Sequence, residues 1–150
     1  MSRELNLHYT LRFDRSRKDA FLFMKDVKRR KEFMTIVDQT KIVHATKSEN
    51  LKGLRFIEVT HFLGFDMKLG YEIIDFKNGF TIVTACKDGP FYPCIGVTLS
   101  DGDLHSCIGE VDIKLDTSAL KLVPTFLLKP TIEAVIKPIL KRLVDCVNNN

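Results

Sequence analysis

Three side chains that could transfer protons stand in segments with a strand-like pattern. Glu58 and His61 lie in LRFIEVTHFL, and His105 lies near the start of LHSCIGEVDIKLD. A histidine and a carboxylate in a dry pocket can act as a general acid and base on an enolisable ring. His105 shares a strand face with apolar residues, so it is expected to point inward, whereas LRFIEVTHFL is apolar on both faces and leaves its orientation open. The alternative is that these side chains only form internal hydrogen bonds.

Other catalytic and metal-binding patterns are missing from the sequence. It contains no nucleophile elbow, no phosphate-binding glycine loop and no H-E-x-x-H motif. The four cysteines are scattered, and no pair of cysteines or histidines has the spacing of zinc ligands. The sequence therefore predicts neither a metal site nor a cofactor.

Size and composition indicate one globular domain spanning residues 1–150, with 45% hydrophobic and 28% charged residues. No apolar run approaches the roughly 20 residues of a membrane span, and the N-terminus lacks the layout of a signal peptide. We therefore expect a soluble, cytoplasmic protein. The sequence does not predict its oligomeric state.

The net charge of +4 has one local concentration, the run KDVKRRK at residues 25–31. The run contains no aromatic residue, so nucleic-acid binding is not expected. Two interpretations stay open for it. It is either an ordinary solvated helix face or a surface that transiently contacts an anionic membrane.

Hydrophobic periodicity predicts the secondary structure. Residues 5–13 alternate as a half-buried strand, and residues 17–35 follow helical spacing after Ser16, a plausible N-cap, with a possible break near Lys28. About six further strands follow, joined by turns of hairpin length such as Asn78-Gly79. Such short turns require an antiparallel sheet. The predicted class is therefore α+β.

A long amphipathic helix is predicted over residues 127–147, with one apolar and one polar face. Pro130 and Pro138 both fall on the polar face. Pro130 lies either in the first turn, where proline is tolerated, or inside the helix. For Pro138 a bend is the better prediction, because an interior proline removes a hydrogen bond and lets the helix bow around what it covers.

The order of one strand, one or two short helices, six strands and a proline-containing final helix, ALKLVPTFLLKPTIEAVIKPILKRLVDCV, resembles the helix-grip fold of the START, polyketide-cyclase and birch-pollen-allergen superfamily. In that fold a curved antiparallel sheet of about seven strands wraps around the long C-terminal helix. The glycine-rich loop of the pollen-allergen branch is absent, because the corresponding segment KSENLKGLRF contains only Gly53. The resemblance therefore favours the cyclase-like group.

This resemblance implies a cavity between sheet and helix that holds a hydrophobic small molecule such as a lipid, sterol or polyketide. The alternative from periodicity alone is a core filled by the same side chains. The loop DGPFYP, with Phe91 and Tyr92, is a candidate gate. The predicted ligand-binding residues are Tyr9, Met67, Leu69, Tyr71, Phe91, Tyr92, His105, Ile132, Val135, Ile136 and Ile139.

Three functions remain open after the sequence analysis. The first is non-catalytic binding or transport of a hydrophobic small molecule, and the second is a polyketide cyclase or dehydratase using Glu58, His61 or His105. The third is a protein-protein interaction module. A cavity of about 300 Å³ or more would support the first two, and a filled core would leave the third.

Overall fold

The structure is a computed structural model and describes residues 3–150. The strands are β1 (Glu4–Phe13), β2 (Val37–His44), β3 (Arg55–Phe62), β4 (Phe65–Lys77), β5 (Thr81–Cys86), β6 (Cys94–Asp101) and β7 (Cys107–Asp116). The helices are α1 (Arg17–Met24), α2 (Arg30–Phe33) and α3 (Thr125–Asn148), with 3₁₀ turns at Val27–Arg29 and Ser118–Leu120. This order confirms the predicted α+β class and the succession of elements.

All seven strands form one curved antiparallel sheet in the order β1-β7-β6-β5-β4-β3-β2. Strands β2 to β7 are consecutive neighbours because turns of hairpin length or short loops connect them. The first strand joins at the far edge, where Glu4 is opposite Asp116 and Phe13 is opposite Cys107. The final helix covers the concave face, as the helix-grip arrangement requires.

The helical segment after β1 begins and breaks close to the predicted positions. The Ser16 hydroxyl accepts a hydrogen bond from the backbone N–H of Asp19 at 3.2 Å, which satisfies one of the free donors at the start of α1. The segment then passes through the 3₁₀ turn before α2 begins at Arg30. Residues 17–33 therefore form two short helices rather than one.

The long helix α3 continues through both prolines. It begins at Thr125, so Pro130 is the sixth helical residue and lies beyond the first turn. Both prolines are exposed, in agreement with the predicted polar face. Apolar residues at helical spacing, among them Leu128, Ile132 and Leu143, are buried against the sheet.

One glycine position permits a close contact in the core. Gly109 of β7 is opposite Leu11 of β1, on the concave side of the sheet. A methyl group added at Gly109 would lie 2.9 Å from a ring carbon of Phe13, which is completely buried. Glycine at this position therefore makes room for the Phe13 ring.

None of the helices among residues 3–150 combines the length and the apolar character needed to cross a bilayer.

Candidate functional site

A cavity of about 140 Å³ lies between the concave face of the sheet and the helices. Residues of α1, α2 and α3 form one side, and residues of strands β3 to β7 form the other. The predicted ligand-binding residues that line it are Met67, Leu69, Tyr71, Phe91, Ile136 and Ile139. The structure therefore contains an apolar chamber at the predicted place, and it is partly open to solvent.

The cavity is smaller than the size of about 300 Å³ that the sequence analysis set as a criterion. Large side chains of the sheet and its loops occupy much of the space, including Phe62 of β3 and Phe91 of the loop between β5 and β6. The two rings meet edge to face, with their centres 4.9 Å apart. An engineered cavity of about 150 Å³ lined by Leu, Ile and Phe binds benzene. The present cavity, without rearrangement, therefore suits a molecule about the size of one aromatic ring.

Three residues predicted to face the ligand are placed in the surrounding core instead. Ile132 is completely buried and packs in the apolar cluster at the N-terminal half of α3, and Val135 packs against the same cluster. The Tyr9 hydroxyl donates a hydrogen bond to Glu133 of α3 at 2.8 Å. Burial, followed by this hydrogen bond, raises the pKa of Tyr9. The Tyr9–Glu133 hydrogen bond joins β1 to α3, and none of these three residues lines the cavity.

The loop DGPFYP does not present both of its aromatic side chains as the predicted gate, because Phe91 is buried. This side chain packs edge to face on Phe62 and Phe65 and forms part of the cavity wall. Tyr92, its neighbour, points outward with about half of its side chain exposed and a φ of 46°. The two aromatic residues are therefore on opposite sides of the loop, and only Phe91 contacts the chamber.

His105 is the clearest error of the sequence analysis. Strand β7 begins at Cys107, and the chain turns through the preceding residues with His105 at a φ of 62°. The strand alternation therefore does not reach His105, and its side chain is exposed. It can neither line the cavity nor act on a molecule inside it.

The other two proton-transfer candidates are also not assembled into an acid–base pair. His61 is exposed on the outer face of β3 and lies 3.1 Å from Asp38. Glu58 does point inward and is only 1% exposed, but both of its carboxylate oxygens are held by Arg30, at 2.6 and 3.2 Å. The carboxylate is thus committed to a buried ion pair.

Arg30 is a cavity residue that the sequence analysis missed. Its guanidinium lies 5.2 Å from the centre of the Phe56 ring and 5.3 Å from that of Tyr71, and these two rings stack on each other. Burial lowers the pKa of Arg30, but the charge and hydrogen bonds of Glu58 outweigh it and leave the pKa raised overall. Arg30 is therefore a permanent cation in the wall of the chamber.

Four more polar residues line the cavity: Lys25, Thr60, Tyr71 and Thr84. They come from the α1 terminus and from three adjacent strands, β3, β4 and β5. Only Tyr71 was predicted. The inward orientation of Thr60 follows from the alternation of β3, which buries Phe56, Glu58, Thr60 and Phe62, whereas the residues between them are exposed or half-buried. Sequence alone could not choose between the two faces, since both carry apolar residues.

Proteins similar to this chain are found by comparing structures and not by comparing sequences. No family model matches the sequence, and no significant match exists among curated proteins. A START superfamily protein from Mycobacterium smegmatis superimposes with a TM-score of 0.79 at 12% identity, covering 96% of this chain and 97% of that one.

Two enzymes have a similar structure. The Zhui aromatase/cyclase of a Streptomyces species has a TM-score of 0.73 at 9% identity, with 97% of this chain and 92% of that one covered. Norcoclaurine synthase from Thalictrum flavum, in complex with dopamine and hydroxybenzaldehyde, has a TM-score of 0.69 at 11% identity, with 97% and 87% covered. The chain therefore has the START/polyketide cyclase-like helix-grip fold.

Proposed function

We propose that this protein binds a small hydrophobic molecule in the cavity between the sheet and α3. The observation that carries the proposal is the apolar chamber of about 140 Å³ at the position where the fold can hold a ligand. Its wall is predominantly aliphatic and aromatic, with a few polar groups, as is typical of small-molecule sites. A cavity of this volume holds about one aromatic ring, so it limits the size of the ligand, or of the part of the ligand that enters first.

The structural neighbours support this proposal at the level of the fold. The norcoclaurine synthase structure contains dopamine and hydroxybenzaldehyde, which are single-ring aromatic molecules. The same architecture therefore accommodates ligands of this size in another protein. We carry over from it only the size of the ligand, because the sequence identity is 11%.

The cyclase alternative receives less support from the geometry. It requires an acid and a base within the same chamber. His61 and His105 are exposed, and Glu58 is held by Arg30. A protein-protein interaction module was the function expected if side chains filled the core. The core instead contains a cavity.

The proposal is tested by saturating the protein with toluene and measuring its thermal unfolding. A ligand that binds only the folded state stabilises it by about 2.7 kcal/mol at a hundredfold excess over its Kd. Val97→Phe adds a ring to a half-buried residue of the cavity wall and should abolish the toluene effect. Val43→Phe makes the same change at an exposed position of β2 and should leave it intact. Absence of a toluene effect in the unmodified protein would refute the proposal.

We also propose that the protein contacts anionic membranes transiently, but through a different surface from the one the sequence indicated. Within the run at residues 25–31, Arg29 is paired with Glu32 and Arg30 with Glu58. A more suitable surface is the apolar tip, which we define as Leu122, just before α3, together with Phe126 and Leu127 in its first turn. Leu122 is 98% exposed and Phe126 is 78% exposed. Two lysines flank the tip, and residues 117–132 contain no acidic side chain, which favours an anionic lipid surface.

A further inference from the structure

The polar groups of the cavity wall are almost all hydrogen-bond donors. Lys25 and Arg30 can only donate, and Tyr71 supplies a phenolic O–H. Thr60 and Thr84 can donate or accept. Among the described residues that line the cavity there is no Asp, Glu, Asn, Gln or His. We call these five residues the donor wall. A ligand that satisfies it must bring acceptor atoms.

Thr60 is a member of the donor wall whose buried hydroxyl lacks a hydrogen-bond partner within residues 3–150. The residue is 4% exposed, and its Oγ1 has no hydrogen-bond partner among the described residues. A buried hydroxyl without a partner destabilises the folded state, so such groups are rare in native structures unless they have another purpose. Rotation about the Cα–Cβ bond can turn this hydroxyl toward a molecule in the cavity.

Arg30 has donors left after its contact with Glu58. The two hydrogen bonds to the Glu58 carboxylate use Nε and Nη2. The N–H groups of Nη1 lie outside this pair of bonds, on a side chain that lines the cavity. The adjacent Tyr71 stays protonated, because burial raises its pKa above the usual value for a phenol. Both groups therefore keep donors available to a ligand in the cavity.

Lys25 adds a positive charge to the cavity wall. Its side chain is half-buried and lines the cavity, directly after the last turn of α1. It forms no ion pair with any residue in the described range. The Glu58 carboxylate is paired with Arg30. An anionic group between Lys25 and Arg30 would therefore meet a net positive charge in an apolar surrounding, where such contacts are strong.

We infer that the cavity binds a small apolar acid, a molecule about the size of one aromatic ring with a single carboxylate that faces the donor wall. This inference rests on the proposed function and adds the chemical class of the ligand. The ring would contact the aliphatic wall formed by residues such as Leu69, Ile136 and Ile139. The carboxylate would accept hydrogen bonds from Lys25, Arg30, Thr60 and Tyr71.

The test compares three probes with one ring each: toluene, benzoate and benzylamine. Their dissociation constants are measured by NMR titration of the intact protein at pH 7. Benzoate should bind at least about tenfold more tightly than benzylamine, because its carboxylate accepts charge-assisted hydrogen bonds. Benzylamine is protonated at pH 7, so it can only donate and has the same charge as Lys25 and Arg30. Lys25→Met should weaken benzoate binding about tenfold and leave toluene binding unchanged.

Two further variants separate the donor wall from general charge effects. Lys28→Met removes an exposed lysine three residues from Lys25 that does not line the cavity, and it should leave all three dissociation constants unchanged. Thr60→Val removes the unpaired hydroxyl at nearly constant volume and should weaken benzoate but not toluene.

The outcomes distinguish this inference from the proposed function. If toluene binds but benzoate binds no better than benzylamine, the cavity is an apolar site and the acid is not its ligand. Benzoate binding that is unaffected by both Lys25→Met and Thr60→Val would also overturn the inference. If none of the three probes binds, the proposed function itself fails.

Discussion

Thr60 lines the cavity wall, and its unpaired hydroxyl lowers the stability of the folded protein. Its hydroxyl is buried without a partner, so Thr60→Val should raise the free energy of unfolding by about 1 kcal/mol in the absence of ligand. Thr40→Val is the matched control, because the Thr40 hydroxyl bonds to Glu58 at 3.4 Å. The control should lower stability by a similar amount. Urea unfolding of both variants provides the measurement, and a loss of stability in Thr60→Val would mean that its hydroxyl has a partner in solution.

The buried pair of Arg30 and Glu58 gives a second prediction. Arg30→Leu leaves a buried carboxylate without its partner and should cost about 3–5 kcal/mol, whereas changing both residues to Leu should recover most of that loss. Denaturant unfolding of the single and double variants measures the coupling.

An exposed pair between β3 and β4 is the control for this experiment. Arg55 and Glu72 lie 3.9 Å apart at the surface, and removing Arg55 should cost less than about 1 kcal/mol. A loss as small as this for Arg30→Leu would show that water reaches Glu58 and that the chamber is not dry.

At the residue scale the sequence predicted the apolar wall better than the polar one. Leu69 and Ile139 line the cavity, which follows from strand and helix periodicity because these periods fix which side chains share a face. His105 was assigned wrongly because the exact start of a strand depends on the turn before it. Arg30 and Thr60 were missed because a short broken helix and a strand with two apolar faces carry no directional signal.

Among the elements, β7 and β6 offer a direct comparison of two glycines. Gly109→Ala should lower the free energy of unfolding by about 1–3 kcal/mol, because the new methyl group would press on the buried ring of Phe13. At Gly96 the new methyl group would lie 3.5 Å from Val83, an ordinary contact. Gly96→Ala should therefore be neutral or slightly stabilising, since alanine restricts the unfolded chain more than glycine.

Thermal unfolding of the two glycine variants measures the difference. Equal stability of both would show that the Phe13 ring moves aside at no cost, and that Gly109 is not required for the packing of β1 on β7.

The elements were largely predictable because each has a local cause. The strands follow a period of two, α1 starts at a capping serine, and hairpin turns connect consecutive strands. The position of Pro130 was left open because the start of α3 is not marked by a capping side chain, and Pro124 occupies the N-cap. Helix ends without such a mark are difficult to place from sequence.

At the scale of the whole molecule the volume of the cavity could not be predicted. The pattern of apolar residues specifies which side chains face each other, whereas the space left between them depends on rotamers and on the distance between α3 and the sheet. Phe62, Phe65 and Phe91 fill part of the expected chamber by packing on one another. The alternation of their segments gave no indication of that contact.

The apolar tip leads to a prediction for the intact protein on membranes. Binding to vesicles of anionic lipid should exceed binding to neutral vesicles, and the combined change Leu122→Ser and Phe126→Ser should reduce it about tenfold. Co-sedimentation with vesicles of the two compositions measures this.

Leu104 provides the matched control for the membrane experiment. It is 90% exposed in the turn before β7, at the opposite end of that strand from the 3₁₀ turn that precedes the tip. Leu104→Ser should therefore leave vesicle binding unchanged. Equal binding of the unmodified protein to anionic and neutral vesicles would argue against a membrane role.

The pairing of β1 with β7 also determines when the protein can fold during its synthesis. About a hundred residues separate the partners of this pair, and α3 is translated after every strand. The strands therefore leave the ribosome before the helix that shields their apolar concave side. Newly made chains should depend on chaperones until α3 emerges, because uncovered apolar surface of this kind promotes aggregation.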